Sequence, residues 1–227
     1  MVRGSNSTAW NMTTTCFFQL ILAGLWLAIT AKGFPLEGII PPIVTPLIDN
    51  DTLDVPATQR LIDHVIDGGV SGVFCLGSTG EFAGLSMQLR TNFIAECCRL
   101  VNGRVPVLVG ITDMSLQSTL ELAKIAEDAG ASGLVLTTPY YFPLEQSEVI
   151  RWVEQVLEGT NLPLLLYNMP QLTKVWYDVE TVEFLAKTYP RIVGIKDSSG
   201  DLDYFAKICE VRKQIRPDDW TVMIGPE

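Results

Sequence analysis

The chain has 227 residues, 48% hydrophobic and 19% charged, a globular composition with ample material for a core. Its net charge of −10 leaves no basic stripe to neutralise phosphates, which argues against nucleic acid as a partner. The single histidine, His64, falls inside the helix-like stretch 60–66, so histidine-based catalysis and a polyhistidine metal site are not expected.

Residues 1–33 stand apart as a hydrophobic extension. No charge occurs between Arg3 and Lys32, and Leu20 to Ile29 is an apolar run followed by Thr30-Ala31. That run is short for a membrane span and suits the h-region of a signal peptide, although Arg3 is its only basic flank. A misassigned start is the other reading, but no methionine between Met12 and Met87 offers a later one. The five cysteines (16, 75, 97, 98 and 209) show no Cys-x-x-Cys spacing and fit reduced thiols. A cytoplasmic protein is therefore expected, with export as the alternative if residues 1–31 act as a signal.

From residue 34 the pattern becomes periodic. Apolar, strand-like runs begin near Gly38, Gly72, Pro106, Gly133, Pro163, Ile192 and Thr221, at intervals of 27 to 34 residues. Helical segments separate them. In the third, Leu116, Leu120, Ala123, Ala126 and Ala129 are read as the buried face. Gly69, Gly103 and Gly130 mark helix exits, and Ser86, Ser115 and Asp178 are candidate N-caps. Strict alternation with apolar strands predicts a parallel sheet covered by helices. A doubly wound sheet would normally carry a glycine-rich loop after its first strand, and Ile43-Val44-Thr45-Pro46-Leu47 is not one. The expectation is a (β/α)8 TIM barrel over residues 34–227, truncated after its seventh strand, with its site at the C-terminal strand ends.

Residues suited to chemistry fall at those ends. The second run leads into Gly77-Ser78-Thr79-Gly80-Glu81, two hydroxyls between glycines that can cup a carboxylate, though the same residues also make ordinary turns. The fourth leads into Thr138-Pro139-Tyr140-Tyr141 and the fifth into Tyr167-Asn168-Met169-Pro170. The sixth ends at Lys196-Asp197-Ser198-Ser199, a lysine where a buried strand should be. An amine beside a phenol suggests Schiff-base chemistry, whereas a strand-end lysine reaching water is the plain alternative.

Taken together, Gly77-Ser78-Thr79-Gly80-Glu81, Tyr167-Asn168-x-Pro170 and Gly194-Ile195-Lys196 resemble the dihydrodipicolinate synthase and N-acetylneuraminate lyase family, over roughly Leu36 to Glu227. The resemblance implies a class I, pyruvate-dependent aldolase that needs neither cofactor nor metal. Lys196 would be its Schiff-base lysine and Tyr167 its proton-relaying tyrosine, with Ser78 and Thr79 gripping the 2-oxo acid carboxylate and Ser78 extending the proton path. Tyr141 is similar to a tyrosine inserted across a tight dimer interface into the neighbouring site, which would make it a catalytic residue of that site, and the implied assembly is a homodimer or homotetramer. Ser198, Gly225 and Glu227 match positions that touch the rest of the substrate.

Leu172 separates the family's members. At this place the synthases resemble Tyr-Asn-x-Pro-x-Arg, where arginine holds a carboxylate of the aldehyde partner, and leucine cannot make that contact. Reversible aldol cleavage of an N-acetylneuraminate-like 2-oxo-3-deoxy sugar acid to pyruvate and an aldehyde is therefore expected. The alternatives are 4-hydroxy-tetrahydrodipicolinate synthase, condensing pyruvate with aspartate semialdehyde, and a catalytically inactive relative.

Overall fold

The computed structural model describes residues 34–225. The expected signal segment, the 1–33 boundary and Glu227 lie outside the described residues. Among those described, no helix is long and apolar enough to cross a membrane.

Six strands, β1 (Val73–Cys75), β2 (Val107–Gly110), β3 (Gly133–Thr137), β4 (Leu164–Asn168), β5 (Ile192–Asp197) and β6 (Thr221–Ile224), form one sheet in chain order. Every neighbouring pair is parallel, as a helix between successive strands of one sheet requires. The connecting helices are α1 (Val55–Asp67, before β1), α2 (Met87–Val101), α3 (Leu116–Asp128), α4 (Gln146–Glu158), the single turn α5 (Pro170–Thr173), α6 (Val179–Thr188) and α7 (Leu202–Ile215). This is the architecture of a TIM barrel, present here as six strands of its parallel wall.

The expected first strand near Gly38 is instead an isolated bridge. Phe74 donates its N–H to Pro41 O at 3.0 Å and Ile43 donates to Phe74 O at 2.9 Å, with Pro42 paired to Phe74 between them. Pro41 and Pro42 have no N–H to give, so the ladder cannot extend. The same segment still plugs the foot of the sheet, where Leu36 N donates to Thr221 Oγ1 at 2.8 Å.

Two apolar layers result. One packs the outer face of the strands against the helices, with Cys75, Phe93, Leu122, Val153, Leu185 and Trp220 in it. The other lies on the inner face and contains Leu36, Phe74, Leu108, Val135, Leu165, Tyr167 and Val193. Alternation along the strands sends successive side chains to these two layers, except at a register shift near Val193 of β5, which leaves Ile192 and Ile195 both in the outer one.

Ser86 and Ser115 do cap, accepting from Leu89 N and Ser118 N, whereas Asp178 holds an N-cap position without a side-chain bond. Gly69, Gly103 and Gly130 all take positive φ just beyond helices. In α3 the buried stripe is Thr119, Leu122, Ala123 and Ala126. It is rotated from the expected face because Leu120 turns sideways into the space left by Gly159 at the end of α4.

Candidate active site

Lys196 and Tyr167 sit side by side at the upper ends of β5 and β4, paired in register. Both point into the inner layer. The amine of Lys196 lies 4.6 Å from the centre of the Tyr167 ring and 5.0 Å from that of Phe74, and these two rings meet edge to face. It lines a cavity of about 720 Å³ together with Phe74, Leu108, Val135, Met223 and Gly225. Burial among these apolar groups pulls its pKa below that of a free lysine, with the Tyr167 side chain opposing the shift.

The loop after β1 is held by close backbone contact. Leu76 adopts φ 57° without being glycine, and a Cβ on Gly110 would sit 2.1 Å from its carbonyl oxygen. Beyond it, Gly80 N donates to Gly77 O and Glu81 N to Ser78 O, each at 3.0 Å, so the expected cup is a pair of overlapping turns. Thr45 Oγ1 ties this loop to the preceding segment through Gly80 O at 2.8 Å. Ser78 is half-buried and Thr79 exposed.

Ser198 and Gly225 come together at the ends of β5 and β6. A Cβ on Gly225 would fall 1.8 Å from Ser198 Oγ, so only glycine fits beside that hydroxyl. Gly225 N donates to Asp197 O at 2.7 Å and Ser198 N to Asn168 O at 2.9 Å, which fixes both positions at the rim. Tyr141 behaves differently. It is 77% exposed, stacked edge to face on the equally outward Phe142 at 4.9 Å. The structure thus brings Lys196 beside Tyr167 and Ser198 against Gly225, and leaves Tyr141 on the outer surface.

Reasoning from sequence missed Phe74, whose ring meets that of Tyr167 edge to face and lies 5.0 Å from the amine. It missed Arg90 as well, a buried guanidinium at the start of α2 that pairs with Asp113 at 2.8 Å beneath the loop bearing Tyr140. The layer outward of the site also went unnoticed: Asn168 and Asp197, 0% and 1% exposed, hydrogen-bond each other at 2.9 Å. Strand alternation was the available signal, because a polar residue next to each inward-pointing Tyr167 and Lys196 must face the helices.

A family model described as the dihydrodipicolinate synthetase family matches residues 35–225. Among curated proteins, YagE of Escherichia coli K12 is 38% identical over 188 residues, 83% of this chain and 62% of YagE. Among solved structures, a dihydrodipicolinate synthase from Bacteroides thetaiotaomicron superposes with a TM-score of 0.81 at 45% identity, covering 86% of this chain and 64% of that one. YagE in complex with pyruvate gives 0.81 at 37%, covering 84% and 64%. A 2-keto 3-deoxygluconate aldolase from Picrophilus torridus gives 0.78 at 32%, covering 84% and 67%. The chain spans less than two thirds of the length of YagE and of the Bacteroides thetaiotaomicron enzyme.

Proposed function

The chain belongs to the dihydrodipicolinate synthetase family, and from that premise we propose that it is a class I lyase whose Lys196 forms a Schiff base with pyruvate in the reversible cleavage of a 2-oxo-3-deoxy sugar acid. The observation that carries this reading is the placement of the Lys196 amine, partly buried against the rings of Phe74 and Tyr167 with its pKa drawn down. A protonated lysine is no nucleophile, and an apolar enclosure raises the fraction of neutral amine.

In the proposed sequence the neutral amine adds to the C2 ketone and water leaves, giving an iminium. The C3–C4 bond then breaks and its electron pair moves through C3–C2 to nitrogen, forming an enamine. The C4 hydroxyl proton passes to Tyr167, with Ser78 extending the hydrogen-bonded path, as the aldehyde departs. Protonation at C3 and hydrolysis of the imine release pyruvate and restore Lys196. The iminium is itself the electron sink, so the scheme uses no cofactor. Ser78 and Thr79 take the carboxylate, and Ser198 and Gly225 border the sugar end. The test is incubation with pyruvate and borohydride followed by intact mass measurement. An adduct absent from Lys196→Ala supports the scheme; no adduct, or one that survives the substitution, removes it.

The sugar-acid assignment rests on the loop after β4. Leu172 is more than half exposed there, and Lys174 in the same loop already donates to Gln171 O at 2.6 Å. Neither offers the bidentate grip that a second carboxylate needs. The relation to the Bacteroides thetaiotaomicron dihydrodipicolinate synthase keeps a second reading, condensation of pyruvate with aspartate semialdehyde. A panel of sugar acids against aspartate semialdehyde, followed by pyruvate release or consumption, decides between them. We further propose assembly as a homodimer, or a pair of dimers, through the surface bearing Tyr141.

A further inference from the structure

Six residues behind the Lys196–Tyr167 pair form a closed circuit of hydrogen bonds. Tyr204 OH donates to Tyr177 O at 2.6 Å, and Tyr177 N donates to Asn168 Oδ1 at 3.1 Å. Asn168 Nδ2 donates to Asp197 Oδ1 at 2.9 Å, and Ser199 Oγ donates to Asp197 Oδ2 at 3.0 Å. Asp201 N donates to Ser199 Oγ at 3.1 Å, and Tyr204 N returns to Asp201 Oδ1 at 2.9 Å. The circuit joins the ends of β4 and β5 to the first turn of α7. Gln171 Nε2 adds the loop after β4 by donating to Ser199 O.

Asn168 and Asp197 are the strand residues of this circuit. Each follows a site residue directly, Tyr167 or Lys196, and the two are register partners. Asp197 takes only donors, Asn168 Nδ2 and Ser199 N on one oxygen and Ser199 Oγ on the other. A buried carboxylate held by three neutral donors is demanding to build, since each lost partner leaves an uncompensated charge. Covering the strand ends needs only apolar side chains. Nothing in the circuit reaches the reacting atoms, because alternation aims Asn168 and Asp197 at the helices while Lys196 and Tyr167 face inward.

We propose that Asn168 and Asp197 are positioning residues, a clamp across β4 and β5 that sets the Lys196 amine against the Tyr167 ring. This rests on the Schiff-base reading of Lys196. Displacement of a reacting pair by about 1 Å costs about 100-fold in rate. The circuit should therefore act on the rate of imine formation and much less on pyruvate affinity.

The experiment uses the full chain and measures borohydride-trapped adduct against time and pyruvate concentration, per folded molecule as judged by thermal melting. Asn168→Ala and Asp197→Ala should each slow trapping about 100-fold, with half-saturating pyruvate changed by less than about threefold. Asp197→Asn keeps the shape, and its new amide can donate to Ser199 Oγ with that one bond reversed, so it should stay within about threefold of the parent rate. Should an alanine variant not fold, Ser199→Ala removes the hydroxyl that donates to Asp197 and accepts from Asp201 N, and should slow trapping about tenfold. Parent-like trapping by the alanine variants, or Asp197→Asn as slow as Asp197→Ala, overturns the clamp alone. No adduct in the parent protein removes the Lys196 reading and the clamp with it.

Discussion

At Lys196 two effects compete over one proton. The faces of Phe74 and Tyr167 favour the ammonium by about 0.5–2 kcal/mol. Loss of water around the partly buried charge outweighs this, so the neutral amine gains and the pKa falls. The consequence for stability has a definite sign. An unfolded lysine keeps its proton to about pH 10.4, while the folded chain releases it earlier. Between those values the unfolded state binds more protons, so stability rises with pH there, and below both the penalty is fully present. Lys196→Met should therefore raise the melting temperature at neutral pH while abolishing the pyruvate adduct, the trade expected where a site is built against stability. The rate of adduct formation should climb with pH and level off below pH 10.4. A rate still rising steeply at that pH would mean an ordinary solvated amine. Under the same reading, Tyr167→Phe keeps the ring over Lys196 but removes the relay, and should lower aldol cleavage about 100- to 10,000-fold while sparing the adduct.

Elements were legible in the sequence to the extent that periodicity and capping control them. The apolar runs at β1 to β6 emerged as parallel strands because both faces of each are covered, and Ser86 and Ser115 cap because a short hydroxyl side chain satisfies an early helix N–H. The first run failed as a strand because two prolines break its ladder, a fact visible in the sequence but outweighed by its apolar pattern. The turn that carries Ser78 was legible as turn chemistry, but what holds it was not. It depends on Leu76 holding a left-handed conformation at 2% exposure, which works only because Gly110 on the next strand leaves room for the Leu76 carbonyl. Gly110→Ala should accordingly destabilise the fold by about 1–3 kcal/mol. The check is a urea midpoint that falls with an unchanged slope. The Ser78 turn should move with it, so pyruvate affinity should weaken in the fraction that folds. An unaltered midpoint would show that β1 and β2 do not depend on this approach.

For the whole molecule, the even spacing of strands and the residues at their ends disclosed the barrel wall and the Lys196–Tyr167 pair, because both follow from alternation along the chain. The hydrogen-bonded circuit behind them was hidden, since it depends on which buried polar atoms of four separate segments meet. The surface around Tyr141 lies between these cases. Tyr140 anchors its loop: its N–H points to Met114 Sδ at 3.3 Å, its ring stacks on Phe82, and partial burial raises its phenol pKa. From that anchor Tyr141 and Phe142 project together, 77% and 64% exposed, as an aromatic pair held in water. Two large rings exposed side by side on a fixed loop resemble the anchors of a protein interface more than ordinary surface residues. Sedimentation at micromolar concentration should show a dimer. Replacing both rings, Tyr141→Ser with Phe142→Ser, should weaken it by more than about 2 kcal/mol, roughly 30-fold or greater in dissociation constant, while the Lys196 adduct still forms. A parent protein that stays monomeric at these concentrations, or a doubly substituted one that dimerises as tightly, would show that this aromatic pair does not hold copies of the chain together.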